Sequence, residues 1–384
     1  MSTLKVDAIR HNSATSDAIT TAADGTCTAR ITGMTGGGGL SNRNKVINGQ
    51  MICSQRGSSF TSDGYTLDRF ERQQSSDGAF TITPSTTSPD GFAKSLKVDV
   101  TTADTSLAAA QYAQIKHKIE AQDLQDLAFG TSAAKNIVLS FYVRSNKTGN
   151  YGLWIQQSDN SFKQVTLQYT INSADTWERK TFSIAGDTSG VINDDNGDGF
   201  IIAWGLASGT NKTSGSLRSS WTAQAAADQF AGQGVNLLDS TSNEWYLTGV
   251  QLEVGDTVTS FEHRSFGDEL SRCQRYCYVL CEGLNKPIGN GTYWTTSSVF
   301  CPVHFPVQMR SAPSMTVAND GSNNWYGWFR DGGGNTEKGD NWSMAITANT
   351  GVEIYDPAAS GTAGHSCFGR TQDASSKITF AAEL

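Results

Sequence analysis

The chain has 384 residues, enough for two or three domains, and carries a formal net charge of −8. This acidic balance disfavours a protein that coats nucleic acid, because no excess of basic residues is present to neutralise phosphates. The first residues show no apolar leader, and no run of about 18 apolar residues occurs, so we expect neither classical secretion nor insertion into a membrane.

The composition favours strands and loops. Charged residues make up only 17% of the chain, and its 39 glycines exceed the usual share of about 7%. This mixture is typical of short strands joined by many turns. The seven cysteines are odd in number and scattered, which predicts reduced thiols in a protein made in a cytoplasm. The triplet Cys273, Cys277 and Cys281 lacks the close pairs of zinc sites, so we interpret it as part of a packed face.

Residues 1–40 contain too few apolar side chains to fold alone, because burial would not offset the entropy lost in ordering them. We interpret them as an attachment segment that orders against its own copies or a docking partner.

Residues 41–264 show repeated alternation of apolar and polar positions, the pattern of half-buried strands. This succession predicts an all-β jelly-roll sandwich. His117 lies in the apolar phase of its strand, which favours a buried structural histidine over a catalytic one. A short helix is predicted at 120–129, and strands are predicted at 93–100, 113–119, 137–145, 162–171, 177–184, 200–206 and 245–254.

The spacing of apolar residues along the sequence changes after Arg264, where Ser265 and Asp268 resemble a capping box. Residues 265–282 are therefore predicted to form a helical connector to about Arg275, followed by a strand. A stripe with 4-3-4-3 spacing extends over two heptads, too short for an unsupported coiled coil. Its apolar face would pack either on its own copies near a three-fold axis or on its own sandwich. The stripe consists of Phe266, Leu270, Cys273, Cys277 and Leu280.

Residues 283–384 are predicted to form a second, smaller β-sandwich domain. Its strand patterns occur at 299–305, 314–317, 324–329, 342–347, 351–355 and 377–382.

Several long segments carry a resemblance to a known group of proteins. LSNRNKVINGQM at 40–51, YTLDRFERQQS at 65–75 and the stretch from 235 to 276 resemble a recurrent module of tail-fibre and related virion proteins of tailed bacterial viruses, often marine ones. The match covers roughly residues 40–276. FPVQMRSAPSMTV at 305–317 and the terminal FAAEL resemble the small β-domain that often follows the module, and residues 2–20 resemble the attachment segment of such fibres.

The resemblance implies a virion appendage protein with a carbohydrate-binding-module-like sandwich, usually trimeric. It implies no catalytic residues, because the group shares no catalytic motif. This chain departs from the pattern at Cys277 and Cys281, where aromatic or polar residues would be usual.

A loop in the sandwich matches the first positions of a calcium loop, D-x-N-x-D-G, with candidate ligands Asp194, Asn196 and Asp198. The acid needed at the last position is replaced by Gly205, which excludes an EF-hand. Oxygen ligands gathered by a sandwich loop remain an alternative to a plain acidic turn. No other cofactor is expected.

A run of aromatic residues in the last hundred positions suggests a glycan platform, because sugars present apolar C–H faces to exposed rings. Since the rings are nearly consecutive, both faces of their strand carry them, and one face must point away from the core. Packing in a core or a subunit interface is the alternative. The candidate rings are Trp325, Tyr326, Trp328 and Phe329, with Asn324, Arg330 and Asp331 as hydrogen-bonding neighbours.

Catalytic signatures are weak, so we expect no enzyme. The sequence at 364–368 begins like a G-x-S-x-G elbow but ends in Phe368 instead of glycine. Asp123 and Asp126 are interpreted as a solvated helix face rather than a glycosidase pair, which is defined by a separation in space.

The leading hypothesis is a homotrimeric tail fibre of a virion, made in the host cytoplasm. It would bind host surface glycans through 283–384 and other virion proteins through 1–40. One alternative is a capsid-decorating or connector protein without a receptor role. The other is a depolymerase or esterase acting on host surface glycans.

Overall fold

The structure, a computed structural model, describes residues 8–9, 19–21, 27–29, 42–159, 162–321, 324–330, 335–340 and 342–384. Strands dominate these residues, which confirms the all-β prediction. Within residues 1–40, three short strands pair into an antiparallel sheet, and the remainder of the expected attachment segment lies outside the described residues. These strands are β1 (Ala8–Ile9), β2 (Ile19–Thr21) and β3 (Cys27–Ala29).

A jelly-roll sandwich of two antiparallel sheets follows. The seven-stranded sheet has the order β14-β11-β10-β13-β8-β5-β4, and the five-stranded sheet has the order β12-β9-β15-β7-β6. One hydrophobic core fills the space between them. The strands are β4 (Gly64–Tyr65), β5 (Phe70–Ser75), β6 (Ala79–Ser85), β7 (Ser95–Thr102), β8 (Tyr112–Glu120), β9 (Ile137–Ser145), β10 (Gly149–Gln157), β11 (Lys163–Ile171), β12 (Glu178–Ile184), β13 (Asp198–Ser208), β14 (Arg218–Ala223) and β15 (Glu244–Val254).

The short helices of the sandwich lie in its connections. The helix predicted at 120–129 is a 3₁₀ helix, Ala121–Leu127, which buries Leu124 and Leu127 and exposes Asp123 and Asp126. Asp123 and Asp126 therefore lie on a solvated face, as predicted. The other helices are α1 (Thr210–Thr213) and two single 3₁₀ turns, Ala226–Asp228 and Leu237–Asp239.

His117 is a buried structural residue, as its position in the apolar phase of β8 predicted. Only 1% of it is exposed, and its Nε2 lies 3.0 Å from the main-chain oxygen of Ile47. Its ring packs edge-on against Phe70, with the centroids 5.0 Å apart. Burial lowers the pKa of His117 to about 3, so the ring stays neutral at physiological pH.

The connector helix α2 (Phe266–Gln274) begins where the capping pattern predicted, with the Asp268 main-chain N–H donating to the Ser265 hydroxyl at 3.2 Å. Its buried face packs through Cys273 on Ile47 and Cys53 of its own chain. Cys273 and Leu270 of the stripe thus pack on their own chain, whereas Phe266 is 59% exposed, and packing on copies near a three-fold axis stays a prediction. The second heptad is not helical, because the chain turns into β16 (Cys277–Glu282).

The residues after α2 form a second β-body with its own hydrophobic core. A three-stranded sheet has the order β16-β25-β19, and a seven-stranded sheet has the order β21-β20-β24-β17-β18-β23-β22. The strands are β17 (Pro287–Thr295), β18 (Ser298–His304), β19 (Ser314–Ala318), β20 (Tyr326–Arg330), β21 (Asn335–Lys338), β22 (Ser343–Thr347), β23 (Gly351–Asp356), β24 (Ser366–Thr371) and β25 (Lys377–Ala381). No helix among the described residues is long and apolar enough to span a bilayer.

The end of the chain returns to the sandwich and makes ion pairs there. Glu383 pairs with Arg69, whose side chain is only 1% exposed, and with Arg56 at 2.7 Å. The Arg69 guanidinium also lies 3.5 Å from the ring centroid of Tyr276, directly after the connector helix. A second link joins Arg275 to the buried carboxylate of Glu120 through hydrogen bonds of 2.7 and 2.8 Å. The second body is thus held by the connector and by a separate return contact.

Candidate functional site

Two of the predicted platform rings belong to the core of the second body. Trp328 is fully buried, stacks on Trp342 with ring centroids 4.7 Å apart, and donates its indole N–H to Asp356 at 2.9 Å. Tyr326 is equally buried and donates its hydroxyl to the main-chain oxygen of Ala318 at 2.6 Å. The platform prediction is therefore wrong for these two rings, because the even positions of β20 point inward.

Glycines on neighbouring strands explain why Trp328 fits beneath the sheet. A Cβ atom at Gly369 of β24 would lie 2.8 Å from the indole, and one at Gly291 of β17 would lie 3.0 Å from it. Both distances are too short for a real side chain. The large ring thus occupies the space that two inward-facing side chains would otherwise fill.

The remaining candidates of this segment lie around the same strand. Trp325 is half-buried against the core of the second body, and Asn324 is exposed. The Arg330 guanidinium lies 5.2 Å from the ring centroid of the buried Tyr293. Asp331 lies outside the described residues. Phe329 is the candidate ring that points away from the core, and the site is built from it.

The first aromatic cluster of the outer face joins β20 to β24. Phe329 is directly opposite Phe368 in the ladder, and their rings stack with centroids 5.3 Å apart and planes 11° apart. Phe368 is 41% exposed. The guanidinium of Arg370 lies 5.0 Å from the centroid of Phe329 and 5.4 Å from that of Phe368. This places a cation on the rim of an exposed ring pair.

A second aromatic cluster lies farther across the same face. Trp294, at the end of β17, is 74% exposed, and its ring meets Phe300 of β18 edge-on at 6.2 Å. Phe300 in turn lies 4.8 Å from Tyr355 of β23, its partner in the ladder. Apolar side chains that form a contiguous exposed group mark a contact surface more often than single ones do.

Polar side chains separate the two clusters. Asn290 and Thr292 of β17 are exposed, lie opposite Phe368 and Ser366 in the ladder, and point outward. They line a cavity of about 420 Å³ together with Phe329, Arg330, Ser366 and Phe368, and Asn290 also lines a neighbouring one of about 360 Å³ with Arg370. We call the whole set the outer aromatic face: Asn290, Thr292, Trp294, Phe300, Phe329, Tyr355, Ser366, Phe368 and Arg370.

Most of the outer aromatic face escaped the sequence analysis because β24 inverts the usual alternation. Its inward residues are the small Cys367 and Gly369, since Trp328 fills the space below them, while the larger Phe368 and Arg370 point outward. The same segment was considered for a nucleophile elbow. Ser366 instead begins a strand that is paired on both sides, so the strand–elbow–helix geometry is absent there. Trp294 carried the clearest available signal, a tryptophan in a segment that is rich in threonine.

The candidate calcium ligands are bonded to other parts of the chain. The Asn196 side chain donates to the main-chain oxygen of Arg310 at 2.7 Å, and Arg310 donates back to the Asn196 oxygen at 3.0 Å. Asp198 lies 3.5 Å from the Lys118 ammonium. Asp194 is exposed. The loop thus docks the second body onto the sandwich, and calcium binding stays a prediction.

Among the described residues, the ligand atoms of Cys53, Asp68 and Cys273 all lie within 4.8 Å of one another. All three residues are buried, and the carboxylate of Asp68 accepts from the Gln55 main-chain and side-chain N–H groups at 3.2 and 2.9 Å. Burial raises the pKa of Asp68 to about 6. Cys277 and Cys281 lie outside this group, on β16. Both are buried, as the packed-face interpretation of the triplet predicted.

Part of the sandwich surface is covered by its own chain. The outer face of its seven-stranded sheet is covered at one end by Phe230, which packs on Trp154 and Ala203. Gly152 and Gly205 make room for Phe230, since a Cβ at either would approach its ring to below 3.0 Å. The sandwich therefore covers its own sheet face where the second body leaves an aromatic face open.

No protein-family model matches the sequence, and no curated protein matches it. Among solved structures, the chain is similar to the enzymatically active domain of bacteriophage CBA120 tailspike protein 4, with 12% identity and a TM-score of 0.31 over 55% of this chain and 21% of that one. A family 11 carbohydrate-binding module from Clostridium thermocellum gives 8% identity and a TM-score of 0.27, over 53% of this chain and 98% of that one. The C-terminal family 22 carbohydrate-binding module of Clostridium thermocellum Xyn10B gives 10% identity and a TM-score of 0.28, over 53% of this chain and 98% of that one. At these identities the likeness concerns the fold alone.

Proposed function

We propose that this protein is a virion appendage, a tail fibre, which binds host surface glycans through the outer aromatic face. The observation that carries the proposal is the pairing of two exposed aromatic clusters, around Phe368 and Trp294, with polar side chains between them. Aromatic rings accept the apolar C–H faces of sugar rings. Asn290 and Thr292 can exchange hydrogen bonds with the hydroxyl groups at the edges of those rings.

The dimensions favour an extended chain of sugars over a single one. The face crosses five neighbouring strands, in the order β20-β24-β17-β18-β23. Four interstrand spacings of about 4.8 Å span roughly 19 Å, the length of several linked sugar rings. A ligand lying across the strands would meet one aromatic cluster at each end and the polar side chains in the middle.

Each site of this open kind would bind weakly, and avidity would supply the strength. In the proposed fibre three copies of the chain associate, attach to other virion proteins through residues 1–40 and engage several glycans at once. The resemblance of the segments at 40–276 to tail-fibre modules supports the place on the tail. The function proposed is binding without catalysis.

The proposal is tested on the full chain with an array of bacterial surface glycans. Phe368→Ala and Trp294→Ala should each weaken binding about tenfold, because a stacked ring contributes on the order of 1 kcal/mol or more. Phe162→Ala is the matched control, since Phe162 is 50% exposed and lies on the sandwich. Equal binding by all four proteins would refute the platform.

The same reagents separate the alternatives. A capsid-decorating or connector protein would leave the array empty, and labelling of particles would place it on the head. A depolymerase or esterase would shorten or deacylate a bound glycan over time, whereas the proposed fibre returns it unchanged.

A further inference from the structure

We propose that the outer aromatic face selects acidic glycans and that Arg370 is the residue that binds their anionic group. The inference rests on the proposed function and adds the chemical class of the ligand. It starts from the position of one guanidinium, which lies over both rings of the Phe329–Phe368 pair.

Arg370 differs from Arg56, Arg69 and Arg275 in lacking an acidic partner. Arg56, Arg69 and Arg275 each form an ion pair with a carboxylate of the chain. Within the part of the chain that the structure describes, Arg370 makes no ion pair and donates no side-chain hydrogen bond. Its surroundings are the two rings, and its donors are available to a ligand.

The charge around the face points the same way. The described residues that line its two cavities include Arg330 and Arg370 and no aspartate or glutamate. The chain as a whole carries a net charge of −8, so its surface generally repels anions. A cationic position beside a cavity on such a protein concentrates attraction for an anion at one place.

Contact with the two rings also makes Arg370 suited to recognise an oxyanion. The rings restrict the side chain, so less side-chain entropy is lost when it forms paired hydrogen bonds with a carboxylate. Neutral hydroxyls could accept from the same donors, but only an anion also neutralises the charge, and an oxyanion offers two oxygens to the paired donors of the guanidinium. Carboxylate, sulfate and phosphate groups share this chemistry, and the experiment distinguishes them.

The experiment measures binding of the full chain to alginate and to the same alginate after its carboxyl groups have been reduced to alcohols. The wild type should bind the acidic polymer at least about tenfold more tightly. Arg370→Gln should bring the two affinities to within about threefold of each other, while Phe368→Ala should weaken both. Lys135→Gln, which removes a charge at an exposed position of the sandwich, should leave the preference intact.

The outcomes separate this inference from the proposed function. Equal wild-type affinity for acidic and reduced alginate, or an undiminished preference in Arg370→Gln, overturns the inference and leaves glycan binding standing. Binding of neither polymer, nor of a sulfated and a phosphorylated dextran used as further probes, overturns both. Tighter binding of one dextran than of alginate, abolished by Arg370→Gln, supports the inference and identifies the oxyanion.

Discussion

Substituting Glu383 by glutamine should destabilise the contact between the second body and the sandwich. The substitution keeps the shape of the side chain and removes its charge. Arg69, of which only 1% is exposed, would then be a buried cation without its carboxylate, and Arg56 would keep only Asp68, at 3.4 Å. Breaking a buried ion pair on one side costs about 3–5 kcal/mol. Because Arg69 retains its hydrogen bond to the Lys118 oxygen, at 2.8 Å, we expect about 3 kcal/mol.

The assay is scanning calorimetry of the full chain, combined with hydrogen exchange at the amides of β25. Glu282→Gln is the matched control, because Glu282 also pairs with a cation, Lys377 at 3.2 Å, but is 59% exposed. Surface pairs of that kind contribute about 0–1 kcal/mol. A double substitution, Arg69→Met with Glu383→Gln, should recover part of the loss, since no buried charge is then left alone.

The outcome that would contradict this reasoning is specific. If Glu383→Gln and Glu282→Gln shift the unfolding temperature equally and leave exchange at β25 unchanged, Arg69 does not depend on Glu383. The return contact would then contribute no more than a surface pair, and the connector and the Asn196–Arg310 contact would hold the two bodies together.

Three further predictions follow from other buried groups and from the proposed assembly. Trp328→Ala should lower the free energy of unfolding by about 3–5 kcal/mol, because the substitution empties a packed site and leaves Asp356 without its indole donor. Calorimetry measures this loss, and an unfolding temperature like that of the wild type would mean that the ring is not in the core. Burial raises the pKa of Asp68 to about 6, above its unfolded value of about 3.9, so the folded state binds more protons and stability should fall as the pH rises from about 4 to 6. Asp68→Asn should flatten that slope in urea titrations, and a slope that survives the substitution would assign it to another group. Light scattering at micromolar concentration should give three times the 41.1 kDa of the chain, and a monomer would exclude the trimer.

The sequence was informative where one face of an element is buried and the other is wet. The strand Ile137–Ser145 was predicted to the residue, and the start of α2 followed from Ser265 and Asp268, because alternation and capping are local signals. β10 was missed, since Phe230 covers its outer side and both faces are buried, which removes the alternation.

The site was less accessible to sequence reasoning for a related reason. Four aromatic residues within five positions indicated that some rings must point outward, and Phe329 does, but nothing local shows that Trp328 needs the space below Gly291 and Gly369. Phe368 and Trp294 enter the outer aromatic face through strand pairings across tens of residues. The contact between Arg69 and Glu383 joins residues 314 positions apart and has no local signal at all.

The attachment of the second body at several points has a consequence for how the proposed particle would meet a surface. A body joined by one flexible connector samples many orientations, and it binds a surface only when it meets that surface in a favourable orientation. Here the connector helix and the return of the chain end to Arg69 fix the aromatic face at one angle to the sandwich. The orientation of the sandwich therefore sets the orientation of the aromatic face. Wherever the sandwich is attached, that attachment determines the angle at which the face approaches a surface.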